Sequence, residues 1–253
     1  MRTTGKNAAP LNLHFYVAHP FHLFNVQVAN RVGWDGMIKP PESNELSWKD
    51  TVRMNPLEDV IVALRPAKMN VPFHVPNSMR SLDVTMLPDM TSAMMFTNVD
   101  PTNQSAAVTN GLVNFGWEYV WHCHLLGHEE NDMMRPMILA VAPDAPAQLA
   151  AVAGKGSVTL TWTNNAYNET GFTMQRAPSG SGPWSNIASV TSSAGVGAPV
   201  SYVDRGVTSG TTYYYRVMAN NVVGYTMSYA PPAVGYPQVS ADSAPTSAVS
   251  AKP

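Results

Sequence analysis

The only cysteine in the 253-residue chain stands between two histidines, in His122-Cys123-His124, with His128 five residues after it and Met133 ten residues after it. A soft thiolate, imidazole and a weak thioether are the donor types of a mononuclear electron-transfer copper site. Cys123 supplies the strong bond, His128 an imidazole and Met133 a long axial contact. One strand and its loop cannot surround a metal, so a further imidazole must come from elsewhere. His19, in His19-Pro20-Phe21-His22, is the natural candidate. Zinc also takes Cys and His, but the methionine favours copper. A lone cysteine is ordinarily a small buried hydrophobe. The tight spacing of the donors and the separate His-Pro-x-His favour metal binding over that ordinary role.

His122 and His124 serve a different place. Side chains alternate along a strand, so the neighbours of Cys123 point away from it. If the strand runs through residue 124, Cys123 faces one site and both histidines face another. A copper on one side could then pass electrons through Cys123 to copper on the other.

The elements that position these residues read as β. His22–Ala29, Asp59–Leu64, Ser81–Met86 and Trp117–His124 are predicted strands, and Leu11–Val17 is a short further one. Met37–Glu45, with its adjacent prolines, is a predicted loop. A helical turn is expected after Cys123. Beyond Ala142-Pro143-Asp144-Ala145-Pro146, a linker by composition, the histidines and the cysteine give way to Ser, Thr, Gly, Val and Tyr. There, Val158, Leu160 and Trp162 share one face of a strand, as do Tyr213, Tyr215 and Val217 of another. Gly171–Arg176 and Ile187–Val190 are further strands. The fold class is all-β, with several short strands in the last 110 or so residues making a β-sandwich.

Charged residues are 13% of the chain and net charge is −2. No basic patch points to nucleic acid, and no run is long and apolar enough for a transmembrane segment. Met1–Pro10 lacks an apolar core, so no signal peptide is expected there. The composition suits an extracytoplasmic all-β protein, and one cysteine excludes an internal disulfide framework.

With these residues in hand, His19–Val141 resembles the C-terminal cupredoxin (plastocyanin-like) domain of bacterial, laccase-like multicopper oxidases. The resemblance rests on His122-Cys123-His124 with His128 and Met133, on His19-Pro20 and Leu23-Phe24-Asn25-Val26, on Val52-Arg53-Met54-Asn55-Pro56, and on Asp59-Val60. It implies a truncated Greek-key cupredoxin over residues 11–142. His19, Cys123, His128 and Met133 would be type 1 copper ligands, and His22, His122 and His124 remnants of a trinuclear cluster. The family's chemistry is one-electron oxidation of a small reductant, coupled to reduction of dioxygen to water. Residues 143–253 resemble a fibronectin type III domain through Trp162, Gly171-Phe172, Gly182-Pro183-Trp184, Tyr202-Val203-Asp204 and Gly210–Val217. That family implies a spacer or adhesion module, with Arg176 and Asp204 as surface or turn residues.

Two departures bear on activity. The family pattern His-Pro-x-His-x-His is here His19-Pro20-Phe21-His22-Leu23-Phe24, one trinuclear histidine short. Either Phe24 replaces a ligand, or two residues are deleted and His22 takes the second role; continuity of the following strand favours deletion. The N-terminal cupredoxin domain that supplies the rest of the cluster is absent as well. Expected partners are therefore an N-terminal oxidase portion or second chain, and a small reducing substrate. The rival functions are a mononuclear copper electron-transfer protein without oxygen reduction and a noncatalytic adhesion-type fragment.

Three further features have modest expected roles. Met79, Met86, Met90, Met94 and Met95 are soft enough for Cu(I), but their irregular spacing favours core filling. His74 is a loop histidine. Glu129, Glu130 and Asp132 form a solvated acidic rim around His128.

Overall fold

The computed structural model describes residues 11–17, 24–66, 72–92, 107–131, 133–192, 194–224 and 238–253. The fold is all-β. In chain order the strands are β1 (Leu11–Val17), β2 (Phe24–Gly33), β3 (Ile38–Lys39), β4 (Thr51–Met54), β5 (Glu58–Pro66), β6 (Met79–Ser81), β7 (Thr91–Ser92), β8 (Val108–Thr109), β9 (Leu112–Asn114), β10 (Trp117–Cys123) and β11 (Met134–Leu139). One helical turn, α1 (Leu126–Glu129), separates the last two. Then follow β12 (Ala147–Gly154), β13 (Ser157–Thr163), β14 (Gly171–Ala177), β15 (Ser185–Thr191), β16 (Pro199–Asp204), β17 (Tyr213–Val223), β18 (Val239–Asp242) and β19 (Val249–Ala251). Two compact units result: Met1–Phe73 with Glu118–Ile138, and His74–Trp117 with Leu139–Pro253.

The first unit bears the candidate ligands. One of its sheets has the order β11-β10-β1-β4, the other β3-β2-β5. Strand β1 runs antiparallel to β10, with Leu13 opposite Cys123 and His14 opposite His122. Its buried apolar side chains, among those described, are Val26, Val28, Val52, Met54, Val60 and Tyr119, with Cys123. A bulge between Val28 and Asn30 shifts the β2 register against β5. The extra residue reverses the phase of alternation, so Arg31 is buried. Its guanidinium pairs with Glu45 and Glu58 and donates to the Arg53 carbonyl.

The second unit contains a three-stranded sheet, β12-β13-β16, and a five-stranded one, β15-β14-β17-β18 with β19 also on β17. Strict alternation on β13 and β17 buries Val158, Leu160 and Trp162 with Tyr215, Val217 and Ala219, joined by Phe172 and Met174. Trp162 meets Phe172 edge-on, with ring centroids 5.4 Å apart. Asp204 is buried rather than in a solvated turn. It accepts hydrogen bonds from Arg176 Nη1 at 2.9 Å and Tyr215 Oη at 3.1 Å. Burial pushes the Tyr215 phenol up, and the Asp204 charge adds to this.

Several predicted elements are corrected. The strand expected over Ser81–Met86 stops at Ser81, because Asp83 instead makes a turn, accepting from the Thr85 N–H and hydroxyl. The Met37–Glu45 loop holds short β3 and a 3-10 turn over Ser43–Glu45. The strand carrying Cys123 ends at Cys123 itself. Met79 and Met90 are exposed, so neither fills a core; Met94 and Met95 lie outside the described residues.

Candidate metal centre

Strand β10 delivers Cys123 to its last position, and the chain turns at once into α1. The Cys123 side chain is 1% exposed and free of any disulfide. Its Sγ lies 3.5 Å from His128 Nδ1. The Leu125 N–H donates to Sγ at 3.4 Å. The His128 N–H donates to the Leu125 carbonyl at 2.8 Å and starts the helical turn. The Met133 N–H then donates to the His128 carbonyl at 3.0 Å, and the Cys123 N–H to the Met133 carbonyl at 3.3 Å. These bonds tie the Met133 backbone to those of Cys123 and His128, while the Met133 side chain is exposed.

His122 and His124 make a separate pair. Their ring centroids are 4.9 Å apart, and the Glu129 carboxylate lies 3.9 Å from His122 Nδ1 and 3.8 Å from His124 Nδ1. His122 Nδ1 is also 3.1 Å from the Cys123 carbonyl oxygen. The two rings share a place although the strand stops one residue short of His124, while the Cys123 sulfur approaches His128. Glu129 corrects the acidic-rim expectation: its side chain is 33% exposed and spans both histidines. Sequence reading missed it because α1 turns Glu129 away from its neighbour His128. The available signal was the short interval after His124, which a single helical turn folds back.

His19 and His22 lie outside the described residues, as does Asp132. No group of three or more His, Cys, Asp or Glu side chains capable of holding a metal occurs among the described residues. The pair present, a buried thiol sulfur beside an imidazole nitrogen, fits soft-metal chemistry. A cavity of about 190 Å³ lies elsewhere, lined by Val26, Val28, Glu45, Lys49, Val52 and Arg53 among others. His74 stacks on Tyr167, with ring centroids 3.6 Å apart and planes 13° from parallel, and so is a packed loop histidine. No helix among the described residues is long and apolar enough to cross a membrane.

No family model matches the chain. A laccase from Bacillus subtilis (strain 168) is 26% identical over 133 residues, which are 51% of this chain and 17% of the laccase. Multicopper oxidase LPR1 homolog 3 from Oryza sativa subsp. japonica is 27% identical over 106 residues, 41% of this chain and 13% of that protein. The chain thus spans less than a fifth of either relative. Among solved structures, an Fn3-like protein from Clostridium thermocellum is 30% identical, covering 42% of this chain and 91% of that one, at a TM-score of 0.28. The central fibronectin-III array of RIM-binding protein is 11% identical over 94% of this chain and 98% of its own, at a TM-score of 0.22. The chain is related to multicopper oxidases at low identity, over part of its length.

Proposed function

We propose that this chain is a copper protein of multicopper-oxidase descent. Its cupredoxin-type region, residues 11–142, holds one type 1 copper at His19, Cys123, His128 and Met133. A fibronectin type III module, residues 143–253, follows. The observation that carries the reading is the division of His122-Cys123-His124: the central sulfur approaches His128 while the flanking rings pair with each other. Copper bound by such donors supplies a one-electron couple between Cu(I) and Cu(II). Cys123 is withdrawn from water, and the Leu125 N–H tunes the electron density on its sulfur. Backbone hydrogen bonds link Cys123, His128 and Met133, and a loop tied in this way lowers the ordering cost of binding.

Oxidation of a small reductant coupled to dioxygen reduction belongs to the whole oxidase. In this chain His22, His122 and His124 are remnants of the trinuclear cluster, and completion needs an N-terminal portion or second chain. The setting is extracytoplasmic.

Titration with Cu(II) tests the reading. The full chain is expected to develop a strong thiolate-to-copper band near ~600 nm, lost in Cys123→Ala and weakened in His128→Ala. A chain that binds copper without that band, or keeps it in Cys123→Ala, refutes the site. Without a partner, the chain is expected to consume no dioxygen when given a reductant. Uptake would show a complete oxidase instead.

A further inference from the structure

Asn221, near the end of β17, is fully buried. A carboxamide carries two N–H donors and two acceptor lone pairs, and a buried one left unmet is costly. All four are met, by residues that precede the C-terminal sandwich in the chain. Its Nδ2 donates to Asn77 Oδ1 at 3.2 Å and to the Val141 carbonyl at 3.0 Å. Its Oδ1 accepts from Asn77 Nδ2 at 3.0 Å and from Asn114 Nδ2 at 3.3 Å.

The partners are anchored to the sandwich a second time. Asn77 Nδ2 donates to the Asn168 carbonyl at 2.9 Å, and Asn114 Nδ2 to the Val222 carbonyl at 2.9 Å. Asn168 Nδ2 donates to the Val141 carbonyl at 3.0 Å. The Gly224 N–H donates to the Asn114 carbonyl at 2.8 Å. Next to Asn114, Gly116 has φ +59°, and a Cβ there would lie 2.5 Å from the Leu139 carbonyl oxygen. Only glycine allows that approach.

We propose that this end of the C-terminal sandwich is a docking surface for the chain's own segments 74–78 and 112–116, with Asn221 as the residue that selects them. A free-standing spacer module has no use for a buried carboxamide whose three partner residues all lie upstream of it. A reciprocal Asn77–Asn221 pair demands one register, since a shift of one residue would leave the buried Asn221 carboxamide unmet. The sandwich is therefore a clamp. It fixes the residues that lead directly into β10, the strand that ends on Cys123.

Hydrogen exchange of the full chain, read by mass spectrometry, tests the clamp without any metal. Asn221→Ala is expected to speed exchange across residues 78–82 and 110–116 roughly tenfold or more, while Val158–Trp162 keeps its protection. Asn77→Ala breaks the same pair from the segment side and leaves the sandwich core untouched, so it reads out the clamp even if Asn221→Ala misfolds. Unchanged exchange at 110–116 in Asn77→Ala overturns the proposal. So does loss of protection spread evenly over β13 and β14 in that variant, which would make the pair a general core contact.

Discussion

Strands β13 and β17 of the C-terminal sandwich alternate buried and less buried residues without interruption, whereas β2 of the unit that holds Cys123 changes phase at its bulge. Both begin from the same rule, that every second side chain of a strand faces inward. Uninterrupted alternation yields an apolar core around Trp162, Phe172 and Tyr215. The bulge instead turns Arg31 inward among Val26, Val28 and Val60, and the buried cation then requires Glu45 and Glu58. One register shift thus puts a buried arginine in mid-strand, whereas the buried charge of the C-terminal sandwich, Asp204 with Arg176, stands at the end of β16. The unit that holds Cys123 also exposes large apolar side chains, including Trp34, Ile38, Leu46 and Trp48.

The largest effect is expected where area dominates. Trp162→Ala removes a side chain that is 2% exposed and should cost about 4 kcal/mol, as large aromatic truncations in cores do. Urea unfolding monitored by hydrogen exchange of β13 and β14 measures it. A loss under about 1 kcal/mol would mean that the core is not organised around this ring, and the contrast between the units would fail.

Next comes the buried charge. Arg31→Met keeps the bulk but leaves Glu45 and Glu58 without their cation, which should cost about 3 kcal/mol. Replacing the cluster together, Arg31→Met with Glu45→Leu and Glu58→Leu, should recover much of that loss, because breaking a buried ion pair is worse than deleting it. The readout is protection in β2 and β4. If the single variant is neutral, water already solvates the pair and the two cores do not differ in kind.

How legible each unit was in the sequence follows from the same contrast. The faces of β13 and β17 could be read directly, because Val158, Leu160 and Trp162 advertise a period of two. Cys123 beside His128 was legible from donor type and spacing; the nearness of the His122 and His124 rings was expected from alternation through residue 124, but the strand ends at Cys123, so strand geometry does not account for it. Arg31 was not legible, because a bulge leaves no mark on residue type and an arginine in a strand reads as solvent-facing. Asp204 and Glu129 were taken for surface residues for a related reason. Their partners, Arg176 with Tyr215 and the two histidines, are set by packing and a helical turn that composition does not encode. The asparagines that meet Asn221 come from segments more than a hundred residues away, beyond any local pattern.

The smallest expected effect is of acid, and it separates the units by the pH at which each loosens. Burial alone would push the Glu45 carboxyl up, but hydrogen bonds from Arg31 and the Glu42 N–H, with the charges of Arg31 and Arg53, outweigh it and hold the group below the usual carboxylate range. A carboxyl lowered on folding contributes stability that is complete above its unfolded value and is lost as pH falls through its folded one. Acidification below about pH 4 should therefore loosen β2, β4 and the Ser43–Glu45 turn, which Arg31 ties together, before β13 and β14; there the buried carboxylate is Asp204, held by Arg176 and the Tyr215 hydroxyl, beside the apolar side chains of Val158, Leu160, Trp162, Phe172 and Met174. The loss should be smaller than in Arg31→Met, because protonation neutralises a carboxylate whereas the substitution strands one. Glu45→Gln should lower stability at neutral pH and flatten the acid response of β2. If β13 and β14 lose protection at the higher pH of the two, the buried charge is not what distinguishes the units, and Arg31 with its two glutamates is merely a tolerated consequence of the bulge.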